Sequence, residues 1–379
     1  MPILFQLVFC FLMALSISIW AVPVIVRVDR SLKLFDHPNE RSSSGNPIPT
    51  LGGIAIFFSF AFSASIGMIG IHMPELIFIL AATMLIFFVG LKDDLVDLSP
   101  RKKLLIEIIA AFIIIFAGQI RFTNLHGLFG ITEIGLFPGV IITVFAIVVI
   151  INAFNLTDGI DGLAASLSIV ISLLLGGWFF LSGHTGYAIL SFSLAGAVTG
   201  FFYFNMYGIQ NKIFMGDTGS LVLGTVIAIL IIRFNEFNID QSQPYAIESV
   251  PAISFGILAY PLIDVMRVML IRISQRRSPF SADKNHLHHR LLTLGFSHKN
   301  ATYTIVGINI LFVAVLFSLH QFGILRIAAY IVISCGTLFL MPAFFIKKRK
   351  LVRKNDPLQQ IMIPRLNADS VFVEKQVQR

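Results

Sequence analysis

The sequence predicts an all-α polytopic membrane protein with about eleven transmembrane helices, the N-terminus outside and the C-terminus in the cytoplasm. Three observations carry that reading. Hydrophobic residues make up 56% of the 379 and charged residues only 13%, against roughly 25% charged in a soluble domain. The apolar residues come in long uninterrupted runs, for which the bilayer is the natural solvent. Lys and Arg crowd into alternate loops, which sets sidedness.

At about twenty apolar residues per span, the spans fall near Ile3–Val26, Leu51–Ile71, Leu76–Leu91, Leu104–Ala117, Phe137–Ile151, Leu163–Leu181, Tyr187–Phe204, Leu221–Ile232, Pro251–Ile271, Thr302–Leu319 and Gly323–Phe345. Several are short, as expected of helices whose ends stop in a crevice below the membrane surface. The first run is too long for a signal peptide and lacks a basic leader and a small-residue cleavage site. Arg27, Arg30, Lys33 and Arg41 follow span one; Lys92, Arg101, Lys102 and Lys103 follow span three; Arg272, Arg276, Arg277, Lys284, Arg290 and Lys299 follow span nine. The alternate loops hold almost nothing basic beyond Arg121 and Arg233. Residues 1–346 thus form one membrane domain, and 347–379 a basic cytoplasmic tail. The net charge of +8 belongs to this topology signal and excludes nucleic acid as the partner. Cys10 and Cys335 lie inside apolar runs and build no disulfide or thiolate framework.

The ionisable residues inside this apolar chain are concentrated in a few motifs. Gly90-Leu-Lys-Asp93-Asp94-Leu-Val-Asp97 closes span three, and Ser99-Pro100 starts a helix that aims Lys102 and Lys103 back at it. Asn152-Ala-Phe-Asn155-Leu-Thr-Asp158-Gly-Ile-Asp161-Gly is an acidic loop without Lys or Arg. Such a loop asks for a cation, and oxygen-only ligands suit Mg²⁺. A helical turn there would put Asp158 and Asp161 on one face. Gly216-Asp217-Thr218-Gly219-Ser220 opens span eight, as either a phosphate-binding helix N-terminus or an ordinary cap. Asp283-Lys-Asn-His286-Leu-His288-His289-Arg290 supplies donors for phosphate oxygens, with a zinc site as the rival reading. Asp36-His-Pro-Asn-Glu-Arg41 and Pro47-Ile-Pro-Thr-Leu-Gly52-Gly53 link spans one and two, the paired glycines serving either helix packing or a ligand. Asp264 and Arg267 are read as partners of one another. Each acidic or histidine motif falls on the cytoplasmic side, although sidedness was set from Lys and Arg alone. Carboxylates and carboxamides for Mg²⁺, with His, Arg and Lys for phosphates, are the parts of a phosphoryl-transfer site.

From about Asp36 to Ser297 these motifs, in this order, resemble the polyprenyl-phosphate N-acetylhexosamine-1-phosphate transferase family. His286-Leu-His288-His289-Arg290-Leu-Leu-Thr-Leu-Gly is similar to the branch that uses UDP-N-acetylglucosamine or a related UDP-sugar. The resemblance implies transfer of a sugar 1-phosphate from the UDP-sugar to undecaprenyl phosphate, releasing UMP, with Mg²⁺ as cofactor and Mn²⁺ as a substitute. It implies Asp217 as the principal metal ligand and Asn155 as a second. It implies catalytic or nucleotide-side roles for Asp93, Asp94, Asp158 and Asp161, and substrate contacts from Lys103, Asn152, His286, His288, His289 and Arg290. It also implies a bacterial cytoplasmic membrane, with a homodimer as one assembly. Two departures stand out: Ser42 and Ser44 replace common Lys and His, and Glu107 replaces a common Gln. The lipid would reach the site through an apolar groove at span nine, bent by Pro251 and Pro261. A transporter of an anionic lipid or nucleotide sugar is the rival, and would place ionisable groups near mid-membrane. Here they lie on one side.

Overall fold

The computed structural model describes residues 2–32, 48–276, 286–323, 326–334 and 336. The Asp36–Arg41 motif, Ser42, Ser44, Pro47, Asp283–Asn285, most of the eleventh expected span and the tail lie outside them. The described helices are α1 (Ile3–Leu32), α2 (Gly52–Gly67), α3 (Leu76–Leu95), α4 (Pro100–Phe112), α5 (Leu136–Thr157), α6 (Leu163–Leu181), α7 (Thr185–Tyr207), α8 (Gly216–Phe237), α9 (Val250–Ile257), α10 (Ala259–Ser274), α11 (Leu287–Thr293) and α12 (His298–Ser318). Among the described residues, seven helices are long and apolar enough to cross a membrane, or up to eight if the bent pair α9–α10 is one span. The protein is a multi-pass membrane protein. α2 and α4 are shorter than a full crossing, and α4 runs on into a π-helical turn at Ile113–Ala117.

α8 is the hub. Nearly every residue from Thr218 to Asn235 is buried, and α2, α3, α5, α6 and α9 all pack on it. α7 is sandwiched between α1, α2 and α6. Lipid tails give no hydrophobic drive between helices, so close contact comes from small residues that let backbones approach. Gly196 and Gly200 of α7 do this against Phe11, Ala14 and Ser18 of α1. Large apolar side chains such as Trp20, Phe58, Phe88 and Phe145 face outward, where a soluble protein would place charge.

Two features differ from the sequence reading, and a third, the bend in span nine, agrees with it. The fold is not purely helical: Asn124–Leu128 and Ile131–Glu133 form an antiparallel hairpin. Its turn uses positive φ at His126, Gly127, Phe129 and Gly130, too short a signal to register against helical runs. Arg233 lies within α8 instead of in a loop, because that helix continues to Phe237. Its charge is held by Glu75, 3.6 Å away, with Tyr187 also donating to Glu75 at 2.8 Å. Span nine is broken by 76° at Leu258, between the two prolines that were expected to bend it. Pro251 opens α9, while Pro261 sits in the first turn of α10, where its missing N–H removes a hydrogen bond across the break.

Candidate active site

The ionisable groups separate to the two ends of the bundle. One end carries Glu75, Arg233, Glu236 and the hairpin, with Thr123 donating twice to Glu236 at 2.8 and 2.7 Å. The other gathers the end of α3, the starts of α4 and α8, the α5–α6 link and α11.

Lys103 joins the first three of these. Ser99 and Pro100 start α4 as expected, and the Lys103 Nζ then lies 2.9 Å from Asp93 Oδ2 and 2.9 Å from Asp217 Oδ2. Asp93 Oδ1 accepts from the Leu98 amide at 2.7 Å. Asp217 Oδ1 accepts from Asn155 Nδ2, which also reaches Ser220 Oγ at 2.9 Å. Asp94 plays a different part. Its carboxylate accepts from the amides of Asp217 and Thr218, at 2.7 and 2.9 Å, and from the Thr218 hydroxyl. Asp94 therefore caps α8 from outside its own chain segment, and two amides that the sequence offered to phosphate are already taken. Gly216 makes the approach feasible: its φ is +70°, and a Cβ there would lie 2.6 Å from Asp94 Oδ2 and 2.3 Å from the Thr50 carbonyl.

The α5–α6 link is a turn and not a helix, so Asp158 and Asp161 do not share a helical face. Asp161 turns to Lys212, 2.6 Å away, with His298 Nδ1 at 3.7 Å, and its carbonyl accepts from Thr302 at 2.8 Å. The Asp158 carboxyl has no hydrogen-bond or ion-pair partner among the described residues. Burial, then the charges of Asp217, Asp94 and Asp161, push its carboxyl well above the usual range. Asn152 is engaged with protein groups, donating to Glu107 Oε2 at 2.6 Å and to the Val148 carbonyl at 2.9 Å. Glu107 is buried, and its other oxygen has no partner.

The histidines arrive on α11. His286 Nδ1 lies 2.8 Å from Asp264 Oδ2, and the Leu287 amide donates to Asp264 Oδ1 at 2.7 Å. Arg267 is 3.7 Å from the same carboxylate, so the expected Asp264–Arg267 pair exists but has a larger task. His288 is buried against Gly159, at the centre of the acidic link, and His289 lies beside it, tilted by 52° at 4.4 Å between ring centres. Arg290 follows on the same short helix.

The donor set fits Mg²⁺. Lys103 bridges Asp93 and Asp217, the charges of Asp217 and Asp94 reach Asp158, and no cation pairs with Asp158 among the described residues. Among the described residues no three His, Cys, Asp or Glu side chains close into a metal cage. Mg²⁺ needs none: it uses one or two carboxylates and completes its shell with water and substrate phosphates. A structural zinc site would close a cage of such side chains.

The sequence profile of glycosyl transferase family 4 matches residues 76–235. A protein of Escherichia coli K12 named undecaprenyl-phosphate alpha-N-acetylglucosaminyl 1-phosphate transferase is 33% identical over 279 residues, 73% of this chain and 73% of its own length. Proteins of the same name from Salmonella typhi and Yersinia pestis are 31% identical over 278 and 300 residues, covering 73% and 78% of each chain. The chain belongs to glycosyl transferase family 4. The profile spans α3 to most of α8, so it takes in Asp93, Asp94, Asp158, Asp161 and Asp217. The histidine helix, outside it, belongs to the same site only because α10 and α12 dock it there.

Sequence reasoning missed Lys212, Thr302, Tyr260 and the larger role of Asp264. Lys212 had a signal, a lone cation five residues before Asp217. Lys212→Met is expected to lower stability by about 1 kcal/mol, because Asp161 keeps its burial and loses its cation. A drop of a few degrees in the unfolding midpoint in detergent checks this; an unchanged midpoint would mean the pair contributes nothing.

Proposed function

We propose that this chain transfers N-acetylglucosamine 1-phosphate from UDP-N-acetylglucosamine to undecaprenyl phosphate, releasing UMP at the cytoplasmic face of a bacterial inner membrane. The observation that carries it is Lys103 held between Asp93 and Asp217, with Asn155 on the far oxygen, at the end of the bundle where α11 brings its histidines. The names of the relatives give undecaprenyl phosphate and the N-acetylglucosaminyl 1-phosphate group, and UDP as the carrier of that group is our reading. The acidic end, flanked by the basic loops, is read as cytoplasmic, with the N-terminus outside and about eleven spans in all.

The reaction is attack by a lipid phosphate oxygen on the phosphorus bonded to the sugar, with UMP leaving in line. Both reactants are anions, so the main task is to neutralise charge. Asp217 and Asn155 would hold Mg²⁺, with Mn²⁺ as a substitute, and the bound ion would offset the diphosphate charge and favour the leaving UMP. Lys103 keeps the Asp217 and Asp93 carboxylates in place. Asp94 acts one step back, fixing the first turn of α8 and so the position of Asp217. Arg290 and the histidines face the remaining phosphate oxygens. The lipid phosphate has a second pKa near 6 and arrives mostly ionised, while Asp93 is engaged by Lys103 and the Leu98 amide. Single displacement without a protein base is the route we favour over a covalent aspartyl phosphate. The apolar stripe Met266, Leu270 and Ile273 on α10 is exposed, and offers a seat for the prenyl chain beside the site.

Purified full-length protein given Mg²⁺, undecaprenyl phosphate and a panel of UDP-sugars should release UMP with UDP-N-acetylglucosamine, and only when the lipid is present. No UMP with any sugar, while the protein still moves the lipid across a vesicle bilayer, would transfer the case to a transporter.

A further inference from the structure

α10 holds two histidines of α11 from behind, each through a chemically different partner. His286 Nδ1 faces the Asp264 carboxylate at 2.8 Å. A carboxylate only accepts, so that nitrogen carries the hydrogen. His288 Nδ1 faces the Tyr260 hydroxyl at 3.4 Å. The Tyr260 hydroxyl is buried and no other side chain bonds it among the described residues, and a buried phenol donates its proton where it can. His288 Nδ1 is then the acceptor, and the hydrogen moves to Nε2.

That second nitrogen is the unexplained atom. His288 is 1% exposed, and among the described residues its buried Nε2 has no partner. It points at the Asp158–Asp161 link, so close that a Cβ at Gly159 would lie 2.2 Å away. Its ring stacks on His286, with 5.5 Å between centres and 12° between planes, so it has little freedom to turn elsewhere. Burial lowers its pKa to about 3 despite the nearby Asp264, which keeps the ring neutral.

We infer that Tyr260 sets His288 as a neutral hydrogen-bond donor, its Nε2–H presented to a substrate phosphate oxygen beside Gly159, and that Tyr260 is thereby a positioning residue for the transfer. His288 then acts as a fixed dipole and not as a cation. A neutral donor stabilises charge that develops in the transition state without binding the ground-state anion as tightly as a cation does. The two histidines on one short helix are thus opposite tautomers, His286 by Asp264 and His288 by Tyr260. The inference rests on the reading that α11 faces the reacting phosphates.

The test uses full-length enzyme in detergent with Mg²⁺, undecaprenyl phosphate and UDP-N-acetylglucosamine, with kcat and both KM values read from UMP release. Glutamine carries an amide N–H close to the Nε2 position but cannot become a cation. His288→Ala should lose about a hundredfold in kcat, and His288→Gln should stay within about tenfold of wild type. Tyr260→Phe should lose about fivefold in the native background and nothing further in His288→Gln, where no Nδ1 remains to accept its proton. A rise in one KM assigns the oxygen to that substrate, lipid or nucleotide. His288→Gln no better than His288→Ala, His288→Lys better than either, or an equal Tyr260→Phe loss in both backgrounds would each overturn the inference. Full activity in His288→Ala would instead overturn the placement of α11 at the phosphates. Unfolding midpoints of all variants separate these outcomes from misfolding.

Discussion

Asp217→Asn is expected to lower kcat by roughly a thousandfold while leaving the fold intact. The side chain is isosteric, and Asp94 holds the backbone of that turn independently, through the amides of Asp217 and Thr218. What is lost is charge. Asp217 accepts from Lys103 on one oxygen and from Asn155 on the other, so an amide there must present its NH₂ to one donor or the other. Two donors then face each other in a partly buried site, and the Lys103 ammonium keeps only Asp93. Raising Mg²⁺ should restore little, because extra metal does not replace a missing negative ligand. UMP release across a Mg²⁺ titration measures it. Near-normal turnover in the variant would remove Asp217 from the metal assignment.

Gly90→Ala is the second large effect. A Cβ at Gly90 would lie 2.5 Å from Thr218 Cα, 2.7 Å from Thr218 N and 2.9 Å from the Asp217 carbonyl carbon. All three are backbone atoms of the turn that presents Asp217, and none can yield by a rotamer change. The added methyl should cost about 1–3 kcal/mol in overpacking. It should also cost about a hundredfold in kcat, since a shift of about 1 Å at a reacting group is enough. Gly177→Ala is the control. It sits inside α6 with nothing within 4 Å of the new methyl, so its stability should be equal or higher by up to about 1 kcal/mol. Activity and unfolding midpoint of the two variants side by side test this. Unimpaired Gly90→Ala would mean α3 and α8 are not as tightly pressed as described.

Gly53 belongs to the same contact from the other side, 2.2 Å from Gly219 N by the same construction. The sequence left Gly52 and Gly53 open between helix packing and a ligand; the approach of α2 to α8 decides for packing. The acidic residues were legible because charge is rare in this chain, and a carboxylate in an apolar run stands out wherever the fold puts it. Lys212 and Tyr260 were not, because a single Lys in a loop and a single Tyr in a span are ordinary until something across the bundle is seen to need them.

The sequence by itself determined the solvent of this protein and the donor types of the candidate site. Those follow from composition and order along the chain, which the bilayer reads one segment at a time. Only the tertiary structure decided the division of labour among the aspartates: Asp217 beside Lys103 and Asn155, Asp94 capping α8, Asp161 on Lys212 and Asp158 left without a partner. Those four carboxyl groups are chemically identical, and what separates them is which donor a distant helix brings within 3 Å.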